Sequence, residues 1–531
     1  MANPFRAVAV EMAERREIQA AFHGASSSRL FYDWAVRPIH PDVEIRSAIG
    51  ELRARARDLV RNNPYATGIV DAFADNVIGQ KPGIRLIPTV KIQGTADFWT
   101  EANEELSRAW GEWGYEENAT VTGVDSWTEF QKLLIRTWVT DGEAFIRRRR
   151  GHDNAFAYAV ELLDADLLDH KMNVPPDSQG REIKMGVEVD RNGRRLAYHF
   201  STLHPSERGN RETVRIPAED IIHFYQKMRP DQTRGYSLFA PILTTVKMID
   251  GLTEAELVAS RLAAAKMGFI VNMTPEAINA YADRLRLMTD QQEDGTGSTP
   301  QTMDLAPGVL EELLPGQSFE GFDPHHPNAA FEVFLKVMLR GVARAFSISY
   351  LTLTGDVGAA NYSSMRAGLL PERDHWKGLH DFTADKVHRV VYRDVITHGL
   401  LTGAVRLPNN RASEFLSHEW QGRGWDWVDP LKDLQAKENE VKLGVNSRQR
   451  VAAEKGRDYR RIVDEIAEEE TYAEEKGVDV SGAKGSSAGS GSGGGGFGDQ
   501  DDEDENENRE NGNGTREGGY VRFGPLYDRD W

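Results

Sequence analysis

The sequence predicts an α+β fold that combines long helices with short antiparallel strands. Apolar residues recur at three- and four-residue steps across 237–267 and again across 328–346, which is the spacing of one buried helix face. Asn192-Gly193, by contrast, separates two short strand-like runs and is a strong hairpin signal. With 531 residues, the chain exceeds what one hydrophobic core usually holds. More than one domain is therefore expected.

The first ordered elements along the chain are predicted to be helices. One is predicted over 43–61. Asn63 and Pro64 suit the N-cap and first turn of the next helix, which Gly79 closes. Further helices are predicted at two later positions, 96–113 and 126–139.

The central part of the chain changes to strand patterns, with apolar and β-branched residues in short runs. The predicted strands are Ala144–Arg149, Ala155–Leu162, Lys184–Val189, Leu196–Phe200, Val214–Pro217 and Ile221–Tyr225. Helices and strands together make this a mixed α+β region.

The second half returns to helices. Short strands and loops are predicted over 268–327, between the two long helices. A polar loop, 352–366, follows the second helix, and a helical pattern then runs from Leu369 to Leu401. Because exposed loops held by rigid elements often carry function, this loop is the first candidate for a working site.

Composition excludes several classes of protein. The chain has no cysteine, which removes disulfides, thiolate metal sites and cysteine nucleophiles and suits a reducing cytoplasm. It has no apolar run near 20 residues and no signal-peptide pattern after Met1, so neither a membrane span nor secretion is expected.

The negative charge is concentrated near the C-terminus. Residues 461–480 and 501–510 hold most of the net charge of −19, so residues 1–460 are only mildly acidic. A region with this charge is not expected to bind nucleic acid non-specifically. The Gly/Ser-rich segment 481–500 and the acidic run after it hold too few apolar residues to bury a core, so 481–531 is expected to be disordered. The aromatic residues after Tyr520 leave a tethered docking peptide as an alternative.

No catalytic motif has the context that its chemistry requires. The phosphate-binding loop of motor ATPases is absent from the sequence. Gly485-Ser-Ser-Ala-Gly489 matches a hydrolase elbow only formally, because it lies in the low-complexity tail. His325 and His326, with Asp323 nearby, favour a surface or partner contact over a metal site. We expect no enzyme, no cofactor and no bound metal.

Four blocks of sequence, in order, resemble the lambda-type family of tailed-phage portal proteins. They are Asp58–Gly79, Asp141–Phe145, the loop with Asn361-Tyr-Ser-Ser-Met-Arg366, and Trp425–Lys432. The resemblance implies a ring-forming subunit with the portal fold. It implies the following division: arm 1–44, wing 45–236, stem helix 237–267, clip 268–327, second stem helix 328–350, tunnel loop 351–366, long helix and C-terminal part of the wing 367–424, helical crown 425–480, and tail 481–531.

The resemblance also implies which residues face DNA. In the tunnel loop these would be Asp356, Asn361, Tyr362, Ser363, Ser364 and Arg366. On the second stem helix, Lys336, Arg340 and Arg344 recur every four residues and would become stacked basic rings in an assembly.

Plainer interpretations of these residues stay open. The stem stripe can equally be a solvated face or a set of intersubunit salt bridges, and Ser363 and Ser364 can cap the following helix. The run Arg147–Arg150 alternates between two strand faces, which favours salt bridges over a DNA patch.

The implied role is a head-tail connector at one capsid vertex, built from about twelve copies with cyclic symmetry. The implied partners are the major capsid and scaffolding proteins, the terminase large subunit, a head-tail connector protein and double-stranded DNA. Asp323, His325 and His326 are candidates for docking terminase or connector at the clip. Location in the virion, and in the host cytoplasm during assembly, follows. The alternatives are a terminase-like enzyme, which the missing phosphate loop disfavours, and a non-viral DNA-binding scaffold, which the acidic body disfavours.

Overall fold

The computed structural model describes most of the predicted body. It covers residues 38–264, 268–272, 317–321, 329–358, 362–425 and 430–478, apart from Ala96 and Asp458, together with residue 279. The predicted tail 481–531, and most of the predicted arm and clip, lie outside the described residues.

Helices form the larger part of the described chain. They are α1 Pro41–Asn62, α2 Pro64–Phe73, α3 Thr100–Trp113, α4 Glu116–Ala119, α5 Trp127–Asp141, α6 Leu243–Ala264, α7 Ala329–Ala345, α8 Tyr350–Thr354, α9 Tyr362–Thr383, α10 Arg389–Thr402, α11 Pro430–Lys442, α12 Arg448–Glu454 and α13 Tyr459–Lys476. Two short π-helices, Ala74–Ile78 and Ala384–His388, extend α2 and join α9 to α10.

The strands are short and pair antiparallel. They are β1 Arg85–Pro88, β2 Ala144–Arg150, β3 Tyr158–Leu163, β4 Glu182–Lys184, β5 Val187–Val189, β6 Arg195–Ser201, β7 Thr213–Pro217, β8 Ile221–Phe224, β9 Gly268–Asn272, β10 Gln317–Gly321 and β11 His418–Gln421. They form sheets with the orders β3-β2-β8 and β4-β5-β6-β7, and the pairs β1-β11 and β9-β10. The described chain is thus the mixed helix and sheet structure that the sequence predicted.

The junction between α1 and α2 confirms the predicted cap. The side-chain oxygen of Asn63 accepts a hydrogen bond from the Ala66 backbone N–H at 3.0 Å, and Pro64 occupies the first turn of α2. Gly79 follows the π-helix with a φ of 82°, which glycine adopts without strain.

Two strand predictions differ in outcome. The hairpin at Asn192-Gly193 is confirmed, because β5 and β6 pair through Val189 and Arg195 and Gly193 has a φ of 76°. The single strand predicted over 184–189 is wrong. The chain turns at Met185 and Gly186, with φ values of 49° and 83°, and forms the two paired strands β4 and β5.

One aromatic cluster ties the helices of the body together. The ring of Phe73 on α2 lies 4.8 Å from Trp376 on α9 and 6.0 Å from Phe346 at the end of α7, in edge-to-face geometry. All three side chains are buried. The C-terminal end of α7 is therefore fixed in the core.

The outer parts of α6 and α7 leave the core. On α7, Leu339 and Val342 are buried, while Phe334 and Val337, one to two turns earlier, are 52% and 57% exposed. On α6, Val246 and Ile249 are buried, whereas exposed apolar side chains follow further along the helix: Leu252, Leu257 and Val258. The helix predicted from residue 237 begins only at Leu243.

The predicted polar loop is shorter than the sequence indicated. Residues 350–354 form α8, which ends at Gly355 in the left-handed region with a φ of 70°. Helix α9 already begins at Tyr362 and contains Pro371. Residues 359–361 lie outside the described residues, so the described loop is Gly355–Gly358.

The chain separates into two compact units, residues 1–462 and 463–531. In the second unit, the described residues form the rest of α13, which is helical to Lys476. Across the described part of the chain, no helix combines the length and apolarity needed to cross a membrane.

Candidate functional site

The three predicted stem cations line one groove. Lys336, Arg340 and Arg344 lie along α7, and the groove continues over α8 and the first turns of α9 with a volume of 880 Å³. Asp356 of the loop lines the same groove. The structure therefore brings the three stem cations together with Asp356, one residue of the predicted loop set.

Lys336 connects the helix to the loop. Its Nζ atom lies 2.6 Å from Glu332 Oε1 on α7 and 3.9 Å from Asp356 Oδ2. The hydrogen bond to Glu332 raises the pKa of the Lys336 ammonium group, so this cation stays charged at neutral pH. Arg340 lies one turn further, with its guanidinium carbon 5.8 Å from the centre of the Tyr350 ring.

A buried carboxylate anchors the base of the loop. Glu372 on α9 is 5% exposed, and it accepts hydrogen bonds from the Ser349 backbone N–H at 2.9 Å and the Thr352 hydroxyl at 2.8 Å. The indole N–H of Trp376 donates to the same carboxylate at 3.2 Å. Helix α8, and with it the start of the loop, is therefore held against α9.

The predicted tunnel-loop residues divide between the loop and α9. Asp356 shapes the turn itself, because its Oδ1 accepts from the Gly358 backbone N–H at 3.0 Å. Tyr362, Ser363, Ser364 and Arg366, predicted in the loop, instead belong to the first turns of α9. The reason is the local pattern. Met365 and Leu369 are apolar and four residues apart, which is helical spacing, and the polar residues before Met365 belong to the same helix.

Arg366 forms a contact that the sequence did not suggest. Its Nη2 atom lies 3.0 Å from Asp433 Oδ1 at the start of α11. Asn361 lies outside the described residues, as do the predicted clip residues Asp323, His325 and His326.

The arginine run on β2 forms the predicted salt bridges. Arg148 pairs with buried Asp394 on α10 at 2.5 Å, and Arg150 pairs with Asp220 at 2.8 Å. Arg147 and Arg149 both approach Glu161 on β3, at 4.0 and 3.8 Å.

The block Asp141–Phe145 is the centre of a buried ionic network. Glu143 has no exposed side-chain surface, and its carboxylate lies 2.5 Å from Arg234, 2.8 Å from Arg53 and 3.0 Å from His223. Burial is the largest single influence and opposes the charge of Glu143, but Arg234 and His223 together outweigh it and hold the pKa of this carboxyl far below its usual range. Burial lowers the pKa of His223 to about 3.

Gly142 is required beside this network. It has a φ of 87°, and a Cβ atom there would lie 1.9 Å from the backbone carbonyl carbon of Tyr236. The block therefore joins two chain segments backbone to backbone.

Asp164, Asp166 and His204 are the one group with metal-ligand spacing among the described residues, with candidate ligand atoms within 4.8 Å of one another. Both carboxylates are already paired with arginines: Asp166 lies 2.6 Å from Arg53, and Asp164 lies 2.8 Å from Arg57. These arginines supply the positive charge that a cation would otherwise bring.

Sequence reasoning missed two residues of the groove, Ser349 and Glu372, and it missed Asp433, the partner of Arg366. Ser349 is followed by a short helix and caps it, since its hydroxyl accepts from the Thr352 N–H at 3.0 Å, and that spacing is a readable cap signal. Glu372 and Asp433 gave no local signal, because their partners are distant in sequence.

Comparison with known proteins agrees with the sequence blocks. The sequence profile described as "Phage portal protein, lambda family" matches residues 27–380. The "Probable portal protein" of Halomonas phage phiHAP-1 is 28% identical over 454 residues, which cover 84% of this chain and 86% of the relative. "Portal protein B" of Escherichia phage lambda is 23% identical over 443 residues, covering 77% and 81%.

Among solved structures, a chain from the "Neck of native GTA particle computed with C12 symmetry" is 14% identical and covers 81% of this chain and 99% of its own length, with a TM-score of 0.37. A TM-score this low does not establish a shared arrangement of the whole chain. The family profile, in contrast, matches more than half of the sequence. The chain belongs to the lambda family of phage portal proteins.

Proposed function

We propose that this portal protein assembles as a closed ring of about twelve copies at one capsid vertex, around a channel for DNA packaging and ejection. The observation that supports this most directly is the pair of apolar faces on the outer halves of α6 and α7. On α6, Leu257 and Val258 are 51% and 47% exposed. On α7, Phe334 and Val337 are 52% and 57% exposed, so each helix carries a group of neighbouring apolar side chains in water and not a single scattered one. Neighbouring copies in a ring would cover them.

In this proposal α6 and α7 are the stem, residues 268–327 are the clip and α11–α13 are the crown. The groove beside α7 faces the channel and presents Lys336, Arg340 and Arg344 to passing DNA. These cations are few and partly paired, since Lys336 is bonded to Glu332 at 2.6 Å. A channel lining of this kind attracts phosphates without holding them, which suits DNA that must slide.

The proposed partners follow from the role of a portal. The ring nucleates procapsid assembly with the major capsid and scaffolding proteins, and it receives the terminase large subunit at the clip, where Asp323, His325 and His326 are candidate contacts. A head-tail connector later replaces the terminase. The protein then stays in the virion, after assembly in the host cytoplasm, and has a structural and not an enzymatic role.

The test is electron microscopy and sedimentation velocity of the purified full-length protein. We expect rings with a central channel, and no ATP hydrolysis, because the sequence has no phosphate loop. A stable monomer at micromolar concentration would contradict ring formation. ATP turnover that persists after removal of contaminating motor proteins would favour the terminase-like alternative.

A further inference from the structure

A second cationic site lies away from the stem groove. A hollow of 610 Å³ opens between the turn after α2, the start of β1, the end of β11 and the turn that follows α12. Five cations line it: Lys81, Arg85, Lys132, Arg423 and Lys455. Asp75 is the one carboxylate among the described residues of its wall. The wall of the hollow therefore carries more positive than negative side chains, although the whole chain has a net charge of −19.

The acidic residue of the wall is already neutralised. Lys132 Nζ lies 3.0 Å from Asp75 Oδ1. Arg423 is held in place by two neutral oxygens, since its Nη1 donates to the Asp75 carbonyl at 2.6 Å and to Asn76 Oδ1 at 3.3 Å. Its positive charge is therefore fixed at the hollow without a carboxylate partner in these contacts.

Glycines bring the walls together. A Cβ atom on Gly424 would lie 2.1 Å from the Lys455 carbonyl carbon and 2.3 Å from the Gly456 nitrogen, so the two turns meet backbone to backbone. A Cβ atom on Gly422 would lie 2.1 Å from the ring of His380. Any side chain at either position would push the walls apart.

The wall segment 422–424 also carries backbone N–H groups without an acceptor in the parts of the chain that the structure describes. Among the described residues, the backbone N–H groups of Gly422, Arg423 and Gly424 donate to no acceptor. The guanidinium of Arg85, which is only partly exposed, likewise has no ion-pair or hydrogen-bond partner in the described part of the chain. Backbone donors and fixed cations around one concave wall are the combination that binds phosphate oxygens.

We propose that this hollow binds a phosphate group, which the DNA backbone supplies in the working particle. A concave wall of one charge focuses the field, so the site attracts an anion more strongly than the same cations spread over a flat surface. The DNA source rests on the proposed function, whereas binding of phosphate itself does not.

The test uses the full-length protein and its double variant Lys81→Gln with Arg85→Gln. Both residues line the hollow, and neither anchors the wall in the way that Arg423 does. The matched control is Lys171→Gln with Arg208→Gln, which removes the same charge from exposed positions elsewhere. Affinity for a labelled 30-base-pair duplex is measured against salt concentration, and binding of inorganic phosphate is measured by calorimetry.

We expect the double variant to bind the duplex several-fold more weakly, with the slope of log K against log salt reduced by up to about two. Loss of binding to inorganic phosphate alone, with duplex binding unchanged, would support a site for free phosphate. A double variant that matches the control for both probes would overturn the proposal. Lys81→Gln alone, on an exposed turn, gives the same test if the double variant does not assemble. Ring formation is measured separately in every variant. Variants that form rings but bind both probes as the control does would overturn the phosphate site and leave the proposed function intact.

Discussion

At the scale of single residues, the most sensitive positions are a few buried polar groups whose partners are also buried. Glu143 receives hydrogen bonds from Arg53, His223 and Arg234, and the Gly235 backbone N–H donates to it at 3.0 Å. A carboxylate removed from water in this way is tolerated only while all its partners are present. The cost of removing it is therefore large.

We expect Glu143→Gln to lower the free energy of unfolding by about 3–5 kcal/mol, because it leaves the guanidinium of Arg234 buried with no carboxylate beside it. Denaturant unfolding followed by circular dichroism measures this. The control is Glu51→Gln, which breaks an ion pair to Arg55 whose side chains are 71% and 68% exposed. It should cost less than about 1 kcal/mol. Equal losses in the two variants would argue against the network as a centre of stability.

Buried histidines make the fold sensitive to acid. His388 is fully buried, with its Nε2 atom 2.8 Å from Gln131 Oε1, and burial lowers its pKa to about 4. Between this value and the ordinary histidine pKa near 6.5, the unfolded chain binds a proton that the folded chain does not. The stability contributed by neutral His388 is thus present above pH 6.5 and falls as the pH drops toward 4.

We expect His388→Asn to reduce the slope of unfolding free energy against pH in that window by up to about 1.4 kcal/mol per pH unit, the value of one proton. Unfolding curves at a series of pH values give the slope. The readout is independent of the overall destabilisation that the substitution causes. A slope that matches the native protein would show that His388 takes up its proton equally in both states.

At the scale of elements, the sequence predicted those features whose signal lies within a few neighbouring residues, and it did not predict contacts between distant segments. Asn63 and Gly193 carry their signals within four residues, and both predictions are confirmed. The pair β1-β11 was not predicted, because Arg85–Pro88 meets His418–Gln421 across more than three hundred residues and each strand is only four residues long. The candidate groove follows the same rule. The four-residue spacing of its cations on α7 predicted that they share one helix face. The role of Glu372 depends on Ser349 and Thr352, which lie at least 20 residues earlier in sequence, so no local pattern predicted it.

The loop after α8 provides the prediction at this scale. Deleting Gly358–Ala360 should leave stability and ring assembly unchanged, because the described part of the loop at Val357 and Gly358 is exposed. Function should suffer, since the proposal places the loop against passing DNA. The measurement is the DNA content of heads built with the deletion.

The matched control removes Arg208–Asn210, three exposed residues between β6 and β7. Heads carrying the control should fill normally. If the loop deletion instead prevents rings from forming, the loop is a subunit contact. If its heads fill and retain DNA as the native ones do, a tunnel-loop role for these residues is wrong.

At the scale of the whole molecule, a single copy of the chain leaves an apolar helix face exposed. The C-terminal end of α7 is fixed in the aromatic cluster, while its outer half exposes Val333 at 64%, Phe334 at 52% and Val337 at 57%. In the proposed ring, neighbouring copies would remove these apolar side chains from water. The same residues that cost solubility in the monomer would thus stabilise the ring.

We expect the double variant Phe334→Ser with Val337→Ser to fold as the native chain does, because both side chains are exposed in a single copy. We expect it not to form rings, because neighbouring copies would cover these side chains in the proposed assembly. Sedimentation velocity measures the loss of the large species. Val124→Ser with Leu401→Ser is the control, since these side chains are also exposed, at 69% and 73%, but lie elsewhere. Intact rings in the first variant would exclude this face as the contact.

The contact between Glu143 and Arg234 also has a consequence for how the chain is made. The two residues are 91 positions apart, and Gly142 packs directly on the backbone at Tyr236. A ribosome adds roughly 5–20 residues each second, so Glu143 waits roughly 5–20 s for its partner. For most of that interval Arg53 is the one of its three cationic or imidazole partners that has already been synthesised, so the complete network cannot form. Translation therefore delays completion of this core until the second of the two segments has emerged.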